Sequence, residues 1–385
     1  MRFTVGARVP AADIETVPAD RTSSHEAHGG FSPHSVRLAW ILASAYLLVI
    51  AYASLQPFEG WRVPAGPVPG FLAAQWPHYI TLQDVAVNVA AYAPLGLLLS
   101  VVFGAIVGPL RGAAAATLAA ALLSLCMESA QTFLPSRIAS NVDLLANAFG
   151  ALIGAMAAPL LAPSRALGGK LHTLRHRWFQ EGMAADTGLV VVSLWLITQL
   201  HATVQAFGTG HLRATFHWSR SVLHTPALAV GTEATVALFS LLGVGLLLTA
   251  FAKPGARRLP LIGGLIGAAL LIRLFTAVAI VSAPAPFAWF TPGVMAGIAA
   301  GGVLAAVAIR LPRRGQLLVA AVCILIATAA INLAPENPYQ SVPPRLLAGG
   351  ASHFLNFSGI VRALSELWPL IAIGFLLYAL LDRRR

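Results

Sequence analysis

Ionisable and amide side chains gather in a few short stretches of an otherwise apolar chain: Asp84 with Asn88, Glu128 with Gln131, Arg137, and Asp143 with Asn147. Asp84/Asn88 and Asp143/Asn147 are four residues apart and Glu128/Gln131 three apart, so on helices each pair shares one face. Carboxylates and amides grouped in this way can accept hydrogen bonds from a hydroxyl- or ammonium-bearing ligand, and a carboxyl among them can move a proton. Arg137 is the cation of the set, and a guanidinium can bridge two acids in bidentate fashion. Asp84 and Asp143 fall at expected helix starts, where the dipole favours the anion, whereas Glu128 falls at a helix end, where it does not. Glu128 and Asp143 are the candidate acid–base residues. Gln56, Asp84, Asn88, Gln131, Arg137 and Asn147 are the candidate ligand-binding residues. A purely structural network that fixes helix register is the competing reading of the same residues.

The elements that must position these groups follow from composition. The 385 residues are 57% hydrophobic and 10% charged, with a mean hydropathy of +0.76. A water-soluble domain carries about 25% charged residues, so this is the balance of an all-α polytopic membrane protein. Apolar runs predict about ten helices, over 36–54, 85–107, 113–133, 142–162, 187–207, 228–251, 261–281, 292–309, 316–333 and 366–381. Gly150/Gly154 and Gly293/Gly297/Gly301 form small-residue stripes that predict close helix packing. Residues 1–35 are polar and expected to be disordered, with no signal peptide. Four units result: the tail 1–35, a four-helix membrane domain over 36–162, a basic amphipathic linker over 163–186, and a membrane domain of about six helices over 187–385. Asp-x-x-x-Asn occurs at the start of the second and the fourth helix, so helices 1–2 and 3–4 read as two related hairpins.

Loop charge predicts orientation. Loops alternate between a set holding 18 Lys and Arg and a set holding 6, which places both termini in the cytoplasm and the polar cluster on the outer face of the inner membrane. The net charge of +11 is spread in these loop groups, so nucleic-acid binding is not expected. Cys126 and Cys323 lie alone in apolar runs, the histidines fit no zinc signature, and no nucleotide or dinucleotide motif is present. No cofactor or metal is expected. Arg273, deep in an apolar run, needs a partner, and Glu233 is the acid expected to form a structural ion pair with it.

The ordered set Ser54-Leu55-Gln56-Pro57, Asp84-x-x-x-Asn88 followed by Pro94-Leu95-Gly96, Glu128-x-x-Gln131, Arg137 and Asp143-x-x-x-Asn147-x-x-Gly150 resembles the VanZ-like family over about residues 40–160. That family of membrane proteins is named for a protein associated with teicoplanin resistance. The resemblance implies an integral membrane protein of the cell envelope, with antibiotic resistance among its roles; the family label defines no chemistry. The leading expectation is a protein that binds a polar or amphiphilic ligand, such as a lipid-linked headgroup or a glycopeptide-type drug, at the outer cluster. The alternatives are a membrane-embedded enzyme acting on a lipid-linked envelope substrate, a small-solute transporter, and a structural scaffold. Expected partners are membrane lipid and a lipid-linked envelope precursor.

Overall fold

The computed structural model describes residues 31–55, 58–64, 66–76, 82–162, 165–201, 205–212, 225–280, 285–333 and 354–381. The expected tail 1–35 falls almost wholly outside these residues, as do Gln56 and the side chain of Asp84. The described chain is helical, and its sole non-helical pairing is an isolated antiparallel bridge between Phe179 and Ala252. Helices are the form dictated by lipid, because each backbone N–H and C=O is satisfied within its own segment.

The first unit comprises α1 (Pro33–Leu55), α2 (Leu82–Val107), α3 (Pro109–Gln131) and α4 (Asn141–Ala157). α2 and α3 are separated by Gly108 alone, whose φ of 89° and the following Pro109 make the reversal possible. α4 starts at the N-cap Ser140, which accepts a hydrogen bond from the Asp143 amide. α2 and α4 form the tightest pair. A Cβ at Gly96, Gly150 or Gly154 would lie 2.0, 2.3 or 1.8 Å from the carbonyl oxygens of Ala151, Val89 and Ala93. The Gly150/Gly154 stripe is thus a backbone-to-backbone contact, and only glycine fits it.

α5 (Ala166–Trp178) follows as the basic amphipathic segment, and its far end is tied to residues 251–253. Besides the bridge, Lys253 N–H donates to Trp178 O and Gln180 N–H to Phe251 O. The remaining helices are α6 (Met183–Thr198), α7 (Pro226–Ala250), α8 (Arg258–Phe275), α9 (Pro292–Ala308), α10 (Arg313–Leu333) and α11 (Phe354–Leu381). α7 is their centre, buried continuously from Ser240 to Ala250. α9 reaches it through glycines: a Cβ at Gly293 or Gly297 would come within 2.6 Å of Val230 O or 2.5 Å of Ala234 O. α10 flanks α7 on another side, and α11 packs on α6, α10 and α1.

Among the described residues, eight helices are long and apolar enough to cross a bilayer, and Met183–Thr198 and Pro292–Ala308 are shorter apolar helices. Exposed Leu48, Ile106, Leu122, Phe149, Leu271 and Val303 are what a lipid-facing surface requires. α6 ends earlier than its apolar run, which predicts a helix to residue 207. Polar groups account for this. Gln199 Oε1 accepts from the Phe207 amide and holds the chain as it turns back, with Phe207 at φ 65°.

Candidate functional site

The structure brings the polar residues of α2, α3 and α4 into one chain of contacts. Asn88 Nδ2 donates to Asp143 Oδ1 at 2.9 Å, joining α2 to α4. Glu128 Oε2 accepts from the Ser140 amide at 2.8 Å, joining the end of α3 to the start of α4. Ser140 Oγ in turn accepts from the Asp143 amide, so one short segment ties both acids together. A turn below, Asn147 Nδ2 donates to Ser124 Oγ at 2.9 Å, and Ser124 also shares a hydrogen bond with the Tyr92 side chain. Asn88, Glu128, Gln131, Asp143 and Asn147 are all buried.

Gln131 and Arg137 do something different: they reach α1. Gln131 Nε2 donates to Ser54 O at 3.0 Å, and Arg137 Nη2 to Ala53 O at 3.1 Å. These carbonyls belong to the last turn of α1, where no intrahelical donor is left and where a cation meets the negative end of the dipole. Burial draws the Arg137 guanidinium below its ordinary pKa, and the Glu128 carboxylate nearby opposes that shift. A guanidinium remains charged under such a shift. Helix capping is thus a role of Arg137 that its side-chain chemistry alone does not suggest.

Glu128 also occupies a setting that its place on α3 does not suggest. It lies at the end of its own helix but at the start of the next, accepting the Ser140 N–H, so the dipole of α4 favours negative charge there. One atom stands out in the cluster. Asn147 Oδ1 is buried and has no hydrogen-bond partner among the described residues. A serine hydroxyl can donate or accept, so whichever way the Asn147 amide is turned, one of its ends meets Ser124 and the other meets nothing described.

Ser124, Ser140 and Tyr92 belong to the site but not to the expected set. Ser124 was recoverable, since it lies four residues before Glu128 on the same face of α3, and Ser140-x-x-Asp143 is the spacing of an N-terminal capping motif.

For Arg273 and Glu233 the described contacts are with main-chain carbonyls and neutral side chains. Arg273 is buried and donates to Gln199 Oε1, to His201 O at 3.0 Å and to Gln205 O at 2.9 Å, knitting the chain after α6 to α8. Glu233 accepts from the hydroxyl of Thr291, the N-cap of α9. Arg362 and Glu366, four residues apart on α11, form an ion pair at 2.7 Å. No group of three or more His, Cys, Asp or Glu among the described residues is arranged to hold a metal.

Eight helices of spanning length and apolarity among the described residues, together with a buried polar cluster, define an all-α, multi-pass membrane protein. Its first third carries a VanZ-like unit: residues 33–162 match the model of the VanZ/LLP1 family, and α1–α4 lie entirely within that match. No curated protein and no solved structure matches the chain.

Proposed function

We propose that the α1–α4 unit binds the polar, donor-bearing headgroup of an amphiphilic envelope ligand, with the Glu128–Asp143–Asn147 cluster as its acceptor surface. The observation that carries this reading is Asn147 Oδ1, an unmet polar atom buried one helical turn from Asp143 on α4. Leaving such an atom without a partner in a low-dielectric interior costs about 1–3 kcal/mol, and a hydroxyl or ammonium group would relieve that cost. The loop-charge bias supports placing this end of the helices on the outer face of the cell membrane, with both termini cytoplasmic. Asn88 of the first Asp-x-x-x-Asn motif meets Asp143 of the second, in keeping with two related hairpins and with 36–162 as a unit of its own. From the VanZ-like resemblance we take a lipoglycopeptide of the teicoplanin type as the first ligand to try.

The test pairs phenotype with stability. Asn147→Leu and Glu128→Gln are expressed in a susceptible host, scored for teicoplanin resistance, and melted as purified protein in mild detergent. The expected result is loss of resistance with the melting temperature of Asn147→Leu kept within a few degrees. The second reading, a scaffold, is favoured by the mutual satisfaction of Asn88 with Asp143 and of Glu128 with Ser140. It prevails if resistance falls only in proportion to lost stability.

A further inference from the structure

Helices α6, α7, α8, α10 and α11, with the turns that lead into them, line an open cavity of about 1020 Å³; none of its described lining residues belongs to α1–α4. Three helices begin on its wall: α6 with Met183, α8 with Arg258 and α10 with Arg313. Each runs for sixteen residues or more, so each sets the positive end of its dipole at this space. The Arg258 and Arg313 guanidiniums add two full charges. Glu181 is the one acid among its described lining residues; its carboxylate is bonded to His176 Nδ1 and faces outward. Asp186, a turn into α6, is held by Arg175. The described lining residues carry two guanidiniums against one carboxylate, a net positive wall.

The wall is also built rather than incidental. Gln316 is fully buried and donates to both Ile309 O and Leu311 O, while its own oxygen accepts from Thr249. Arg258 Nη1 donates to the same Ile309 O, so the turn that delivers Arg313 is fixed from two sides. Arg313 lies over the Phe251 ring, 4.9 Å from its centroid, and Ala185, Ala250 and Phe251 make a buried apolar floor. Tyr378 stands exposed at the rim.

We infer that this cavity is a second ligand site, which takes a phosphate-bearing anion too large to be inorganic phosphate alone. Guanidiniums and helix N-termini together are matched to phosphate oxygens, which accept several hydrogen bonds at once. A volume near the upper end for small-molecule sites leaves room for the glycerol or sugar beyond the phosphate. The apolar floor suits the adjoining carbon skeleton. The occupant is either an anionic lipid headgroup or a soluble phosphate ester, since the chemistry is shared.

The full chain in a neutral maltoside detergent separates these sources. A fluorescent short-chain phosphatidylglycerol is titrated, with phosphatidylcholine and glycerol 3-phosphate as the other ligands. Saturable binding of phosphatidylglycerol over phosphatidylcholine, weakened about tenfold by Arg258→Gln or Arg313→Gln, establishes the site. Competition by glycerol 3-phosphate at comparable concentration identifies a soluble source, and its failure to compete identifies the lipid. Glu181→Gln leaves the wall intact and removes the opposing charge, so it should tighten binding by about threefold at low salt. Equal binding of the two lipids overturns the inference. So does a loss caused by Lys170→Gln/Arg177→Gln on the exposed face of α5 while the cavity variants bind normally.

Discussion

Substituting Gly150 by alanine tests how the polar cluster is held together. Alanine is the better helix former, so propensity alone predicts stabilisation by about 1 kcal/mol. The structure predicts the reverse. A Cβ at position 150 would meet Val89 O at 2.3 Å and Val89 Cα at 2.7 Å, both backbone atoms on a helix that cannot yield locally. Restoring ordinary contact near 3.4 Å requires about 1 Å of separation between α2 and α4. Val89 adjoins Asn88, whose amide donates to Asp143 at 2.9 Å, so the same displacement stretches that bond past its useful range. Overpacking of this kind costs about 1–3 kcal/mol, and the lost hydrogen bond adds about 0.6 kcal/mol in a membrane setting. Against the propensity gain, the net is a destabilisation of about 0.6–2.6 kcal/mol. Equilibrium unfolding of Gly150→Ala in mixed micelles measures it, with Gly263→Ala as control, because a Cβ at Gly263 meets nothing within 4 Å. If Gly150→Ala is as stable as the parent while Gly263→Ala is unchanged or better, the backbone-contact account of the α2–α4 pair is refuted.

Two further outcomes are expected. Arg273→Met removes the donor shared by Gln199 Oε1, His201 O and Gln205 O, and should cost about 2–4 kcal/mol, with early protease cleavage after α6 as the second readout; an unchanged cleavage pattern would contradict the bracing role. His201 is pushed down to about 3 by burial, and by the Arg273, Arg362 and His211 charges, so it stays neutral in the folded protein. The unfolded chain takes up a proton near pH 6.5, so stability is full above that value and is lost as pH falls through 6.5 toward 3, by about 2 kcal/mol at pH 5. His201→Gln should flatten this part of the pH–stability curve, and an identical curve for the variant would show that another group is responsible.

The helices and the grouping of Asn88, Glu128, Asp143 and Asn147 were legible because both rest on period. Apolar runs of span length leave a helix as the sole backbone solution, and i,i+3 or i,i+4 polar pairs mark the face it turns inward. What was not legible depends on groups without a sequence signature. Arg137, Gln131 and Arg273 bond to main-chain carbonyls, which every residue carries, so side-chain chemistry alone points to acids as their partners. Glu128 illustrates the same limit: the helix whose dipole it meets is α4, whereas its sequence position refers only to α3.

The packing of α1 on α11 has a consequence for biogenesis. Roughly 300 residues separate the end of α1 from the start of α11, which at 5–20 residues per second is about 15–60 s of synthesis. During that interval the α11-facing side of α1 has only lipid or the insertion machinery to cover it. The unit that carries the Glu128 cluster therefore reaches its final lateral boundary last, although its own helices are made first. Ribosome stalling or truncation upstream of α11 should leave α1 open to crosslinking by partners that the finished protein excludes.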